Sequence, residues 1–134
     1  MARTFTPAEA NSALAEVRPL VERMVAARAR LRELQGEQRE MVQVIAGNGS
    51  GYAVNDARTD EFTAAATELE SCVEQLAVLG VQVKDADTGL VDFPALRHGE
   101  DVLLCWRVGE GAVEWWHDLE SGIAGRSPID WGDD

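Results

Sequence analysis

Val102-Leu103-Leu104-Cys105-Trp106-Arg107-Val108-Gly109-Glu110-Gly111-Ala112-Val113-Glu114-Trp115-Trp116-His117 is the stretch that decides the fold. Two runs rich in β-branched and aromatic residues flank Gly109-Glu110-Gly111, which reads as a hairpin of two half-buried strands. A register that sets Val108 against Val113 puts Arg107 opposite Glu114, Trp106 opposite Trp115, Cys105 opposite Trp116 and Leu104 opposite His117. The pairs include an ion pair, two aromatics and two valines, so the chemistry across the strands is matched. In this register Leu104, Trp106, Val108, Val113, Trp115 and His117 make the core face. Leu103, Cys105, Arg107, Glu114 and Trp116 share the other face, where a thiol, a guanidinium and a carboxylate lie beside an indole. A slip by one residue would misalign both faces.

Upstream, an alternating pattern begins at Val81. Val81 and Val83 start a strand, Asp85-Ala86-Asp87-Thr88-Gly89 turns, and Leu90 to Phe93 returns, with Pro94 as its end. The Asp-x-Asp-x-Gly pattern hints at a calcium loop, but the next acidic ligand and a closing glutamate are missing, so it reads as a hairpin turn. Arg97 to Asp101 is a polar connection.

Before Val81 the period is helical. Thr6-Pro7-Ala8-Glu9 carries a capping residue, a proline suited to the first turn and a glutamate that can reach back. The pattern then runs to about Ala46, with Leu20, Met24, Ala27, Leu31, Leu34, Gln38, Met41 and Ile45 spaced as a heptad seam. Pro19 removes an amide donor and predicts a kink or a split. Gly47-Asn48-Gly49-Ser50-Gly51 is a turn. It resembles part of a phosphate loop but has no strand before it and no Lys-Ser or Lys-Thr after it. A second helix from Ala57 or Thr59 to Leu79 carries its own seam of Phe62, Ala65, Leu69, Cys72, Leu76 and Leu79, where Cys72 reads as a small buried hydrophobe. The expected fold class is α+β in a single domain, 1–134. A long, kinked antiparallel helical hairpin (6–80) leads into a small antiparallel sheet of about four strands (81–118). An irregular segment (119–134) follows.

A helix of about 40 residues extends roughly 60 Å at about 1.5 Å per residue. A globule of this length has a radius of gyration of about 14 Å. The hairpin should overhang the sheet and leave its seams wet, which predicts a homodimer through the helices.

The 134 residues carry 24 acidic and 12 basic side chains, a net charge of −12. Such a chain is repelled by phosphate backbones, so neither nucleic acid nor an anionic membrane is expected as a partner. Arg28, Arg30, Arg32 and Arg39 cluster, but Glu33, Glu37 and Glu40 interleave with them as a solvated face. No stretch approaches the roughly 18 apolar residues of a membrane span. Met1 to Phe5 lacks the apolar core of a signal peptide. The expectation is a cytoplasmic protein whose Cys72 and Cys105 are reduced thiols.

Phe5-Thr6-Pro7-Ala8-Glu9-Ala10-Asn11, Gly89-Leu-Val-Asp-Phe-Pro-Ala-Leu, Cys105-Trp106-Arg107, Gly109-Glu110, Trp116-His117 and Gly125-Arg126 together resemble the bacterial domain-of-unknown-function family two-two-zero-three. The resemblance spans nearly the whole chain and implies a small bacterial cytoplasmic protein. It implies no reaction, and no site residue is carried over from it. Members often have tyrosine where this chain has Leu103 and Trp115, so it points to no particular aromatic lining.

His117 is the foremost candidate for chemistry, because a neutral imidazole can bind metal or move protons and Asp118 could orient it. The plainer reading is a histidine at the core edge bonded to backbone or to Asp118. A divalent metal could draw on Cys105, Glu114, His117 and Asp118, with His98 as a further contributor, although no Cys-x-x-Cys or His-x-x-x-His spacing announces one. A small ligand could draw on Cys105, Arg107, Glu114, Trp116 and Arg126, since guanidinium groups grip carboxylate and phosphate. Arg107 is more simply matched by Glu114, and Arg126 has Asp130 as its local partner. A Cys105–His117 nucleophilic pair is disfavoured, because the register points the two to opposite faces. The tail from Ile129 is expected to fray, with Trp131 free to dock on a neighbouring subunit. Two functions stay open: a homodimeric interaction or assembly module, and a metal- or ligand-binding protein, with or without catalysis, sited at the last hairpin.

Overall fold

The computed structural model describes residues 3–48 and 56–131, and the side chains of 3–37 and 59–131. Two helices, α1 (Pro7–Asn48) and α2 (Asp56–Val78), precede five strands. The strands are β1 (Gln82–Asp85), β2 (Leu90–Arg97), β3 (Glu100–Arg107), β4 (Trp115–His117) and β5 (Ser127–Pro128). They form one antiparallel sheet in the order β1-β2-β3-β4-β5. This is the expected α+β arrangement with a fifth strand: in the segment read as irregular, Ser127 pairs with Trp116 and Pro128 with Trp115.

The start of α1 is the reciprocal cap that its sequence encodes. Glu9 N–H donates to Thr6 Oγ1 at 3.1 Å, and Thr6 N–H donates to Glu9 Oε1 at 2.9 Å. The helix runs through Pro19 without interruption, so the proline does not split it. Leu20, Met24, Ala27, Leu31 and Leu34 are buried, as are Cys72 and Leu76 of α2. Ion pairs Arg23–Glu68 and Arg30–Glu61 lace the two helices antiparallel. Up to Leu34 the seam of α1 is therefore covered within one chain, rather than left wet as the helix length suggested. Gln38, Met41 and Ile45 lie outside the described side chains, as does Arg39, and Gly49 to Gly51 lie outside the described residues. Of the clustered arginines, Arg30 meets Glu33 and Glu61, while Arg28 and Arg32 reach Asp87 at 3.0 and 3.8 Å.

One face of the sheet packs on the helices. Val91, Phe93 and Ala95 of β2 and Val102, Leu104 and Trp106 of β3 join Phe5, Leu14, Val17 and Val21 in a single buried cluster. Phe5 meets Phe93 edge-on at 5.2 Å. Gly89, with φ +71°, closes the β1–β2 turn so tightly that a Cβ would lie 2.8 Å from Val108 Cγ1 and 2.9 Å from Val25 Cγ2. Strand β2 does not stop at Pro94. Its pairing with β1 ends at Asp92, so Pro94 sits at an edge where a missing amide costs little. The Arg97–Asp101 connection is shorter than expected: His98 and Gly99, both at positive φ, form the turn between paired Arg97 and Glu100.

The tail packs on its own chain. Trp131 meets Trp116 edge-on at 5.7 Å, and Arg97 lies over Trp116 at 4.6 Å while gripping Asp130 at 2.8 and 3.1 Å. Through Trp131 the expected fraying and docking on a neighbour are replaced by this clasp. Among the described residues no helix is long and apolar enough to cross a membrane.

Candidate functional site

The last hairpin pairs one residue away from the register expected. Leu103 faces His117, Leu104 faces Trp116 and Cys105 faces Trp115. β3 ends at Arg107 and β4 begins at Trp115, so seven residues form the connection. Its shape is set from α1. Asn11 Oδ1 accepts the Val113 N–H at 2.7 Å, Asn11 Nδ2 donates to the Val113 carbonyl at 3.2 Å, and Arg18 donates to the Gly111 carbonyl at 2.8 Å. Glu110 caps the loop by accepting the Arg107 N–H at 2.8 Å. These long-range anchors outweigh the cross-strand chemistry of Arg107 and Glu114.

A shift of one residue reverses which side each residue of β4 faces. Trp116 turns to the core cluster with Leu104. Trp115 and His117 turn to the outer face, with Leu103 and Cys105. Cys105 and His117 thus share a face, which corrects the expectation that they point apart. Asp92 of β2 pairs with Cys105 and joins them. Asp92, Cys105 and His117 form a row across three adjacent strands, with ligand atoms all within 4.8 Å of one another. Their exposures are 1%, 1% and 4%.

The hydrogen bonds of this row are specific. His117 Nδ1 lies 2.7 Å from the Asp118 carbonyl oxygen. A carbonyl only accepts, so Nδ1 carries a proton. His117 Nε2 lies 3.1 Å from Asp92 Oδ2, which calls for one proton, or one cation, between them. Asp92 Oδ1 is buried with no hydrogen-bond partner. Burial pushes the Asp92 carboxyl above its usual range, against the pull of His117. Burial also raises the Cys105 thiol, helped by Asp92 and opposed by Arg126. With both imidazole nitrogens committed, His117 has no lone pair to act as base toward Cys105, so a Cys–His nucleophile does not form in this arrangement.

Arg126 lies beside Cys105. Its Nη1 is 3.9 Å from Sγ, and it bonds Glu110 at 2.8 and 3.3 Å. Its guanidinium sits 4.7 Å over the Trp115 ring. Burial opposes ionisation of Glu110, but the Arg126 bond and the Arg107 amide hold its carboxyl below the usual range.

Of the candidate residues, His117 shares the face of Cys105, and Arg126 lies 3.9 Å from the Cys105 sulfur. Glu114 does not join them: its side chain is exposed, and its backbone carbonyl instead accepts from Ile129. Asp118 uses its side chain to accept the Glu120 and Ser121 N–H groups and offers His117 only its carbonyl. Trp116 faces the core, and Arg126 pairs with Glu110 while Asp130 pairs with Arg97. Arg107 contributes its amide to the Glu110 cap. His98 is on the β2–β3 turn. Sequence reasoning missed Asp92 and Glu110. The available signal for Asp92 was a carboxylate set between Val91 and Phe93 in an otherwise apolar strand.

A family model described as "Uncharacterized conserved protein (DUF2203)" matches residues 3–129. No curated protein and no solved structure matches the chain.

Proposed function

As the chain belongs to this family of uncharacterised conserved proteins, we propose that it is a metal-binding protein, holding one d-block ion of the Zn2+ class through Asp92, Cys105 and His117. The observation that carries this reading is the orphaned Asp92 Oδ1. An ordinary buried Asp–His pair accounts for Oδ2 at 3.1 Å from Nε2, but it leaves Oδ1 desolvated with no well-formed hydrogen bond, and the neighbouring Cys105 thiol offers the carboxylate only a weak donor. A cation among the three groups gives that charge a counterpart.

The chemistry of the set fits. Thiolate, imidazole and carboxylate together suit Zn2+ and its neighbours rather than the all-oxygen shells of Mg2+ or Ca2+. Two ligands at about 2.0 Å in a tetrahedron are about 3.3 Å apart, close to the 3.1 Å between Nε2 and Oδ2. A histidine ligand commonly gives its other N–H to a carbonyl or carboxylate, as Nδ1 gives to Asp118. Three protein ligands leave a fourth position to water or to a further ligand. With a net charge of −12, and with Arg23, Arg30 and Arg97 in ion pairs with carboxylates, the chain is poorly suited to bind nucleic acid.

The direct test is chelator-stripped protein titrated with Zn2+, alongside elemental analysis of protein as purified. The reading expects one tightly held ion per chain. Saturable binding that is absent from the wild-type chain but present in a control metalloprotein would overturn it.

A homodimer through the helices is the second reading. Its support is the length of α1, 42 residues against 23 in α2, and the continuation of the apolar seam to Met41 and Ile45 in the sequence. Light scattering tests it, and a monomer at micromolar concentration removes it. The chain is read as one domain, because one buried cluster joins helices and sheet. Two free, buried cysteines suit a reducing, cytoplasmic setting.

A further inference from the structure

Arg126 is fixed more firmly than docking the C-terminal segment requires. Two of its nitrogens bond Glu110, and its plane lies over Trp115. Glu110 is itself fixed, since its N–H donates to the Arg107 carbonyl at 3.0 Å and its Oε1 accepts the Arg107 N–H. The side chains of Arg126 and Glu110 are only 19% and 22% exposed. What this framework aims is Nη1, at 3.9 Å from Cys105 Sγ. Sulfur is a diffuse, weak acceptor as a thiol and a much better one as a metal-bound thiolate, where it carries negative charge.

We infer that Arg126 is a positioning residue of the metal site: held by Glu110 and Trp115, its guanidinium donates to the metal-bound Cys105 sulfur and sets how strongly that sulfur gives charge to the ion. The inference rests on the metal reading above. It adds an outer partner to each end of the set, with the Asp118 carbonyl orienting His117 and Arg126 orienting Cys105. Outer partners of this kind are worth about 10–100-fold in metal affinity. Glu110 takes one N–H from each terminal nitrogen, which leaves Nη1 a second N–H for the sulfur.

Co2+ is the probe, because thiolate ligation gives it a near-ultraviolet charge-transfer band whose energy reports on the sulfur. Wild-type protein is expected to take one Co2+ and show the band. Arg126→Met, similar in length but without donors, should shift the band to longer wavelength and weaken Co2+ binding about 10-fold or more. Arg126→Lys restores the charge without the planar fork and should recover part of both. Glu110→Gln leaves Arg126 charged but loosens its hold, so a smaller shift in the same direction is expected, and this variant decides the matter if Arg126→Met fails to fold. A variant set with lowered melting temperatures but an unmoved band would overturn the inference and leave Arg126 as a tether. Absence of the band from wild-type protein would instead overturn the metal reading itself.

Discussion

Removing the Cys105 sulfur separates the metal account from a purely structural one. Cys105 is 1% exposed and contacts Arg126 through a single long bond, while Arg126 keeps both bonds to Glu110 whatever stands at 105. Without metal, Cys105→Ala therefore loses one buried atom's packing, on the order of 1 kcal/mol. In a chain of this length that lowers the melting temperature by about 3–5 °C. With Zn2+ at 100 times its Kd, the wild-type protein gains about 2.7 kcal/mol, or about 10 °C. Cys105→Ala should lose nearly all of that gain at the same Zn2+ concentration. The assay is thermal unfolding followed by tryptophan fluorescence, with and without chelator. An equal Zn2+ response in Cys105→Ala and wild-type protein would refute the reasoning.

Acid should reveal the Glu110–Arg126 bond. The folded Glu110 carboxyl lies below its unfolded value of about 4.3. Its contribution is present above that value and lost as pH falls through the depressed folded value. Urea titrations from pH 6 to 3 should therefore show wild type losing more stability than Glu110→Gln, and parallel curves would contradict this. Gly89→Ala forces a Cβ to within 3 Å of Val108 and Val25 at positive φ, so it should lose about 2–4 kcal/mol in urea unfolding. Gly109→Ala, at φ +99° with open space around it, should lose about 1 kcal/mol. Asn11→Ala leaves the N–H of buried Val113 without its acceptor and should cost about 1–3 kcal/mol, with weaker Zn2+ binding as the hairpin loosens.

What was legible in the sequence is what local chemistry decides. Thr6 and Glu9 cap each other three residues apart, and the seam from Leu20 to Leu34 follows the helical period, so both could be read from spacing alone. The hairpin register could not. Arg107 and Glu114, Trp106 and Trp115 make attractive neighbours, yet the pairing is set by Asn11 gripping Val113, 102 residues away. That difference of one residue carries the site, because it moves His117 from the far face to the face of Cys105. Asp92 was hidden for a related reason. Period two places it opposite Val91 and Phe93, facing outward, and only the pairing of β2 with β3 and of β3 with β4 shows that its outer face is buried. Glu114 and Asp118 were candidates by residue type, but the loop geometry exposes one and occupies the other with turn amides.

X-ray absorption at the zinc edge of the loaded wild-type protein tests the central claim most directly. The account predicts a shell with one sulfur at about 2.3 Å and nitrogen or oxygen neighbours at about 2.0 Å. A shell of nitrogen and oxygen alone, with no sulfur, would contradict it.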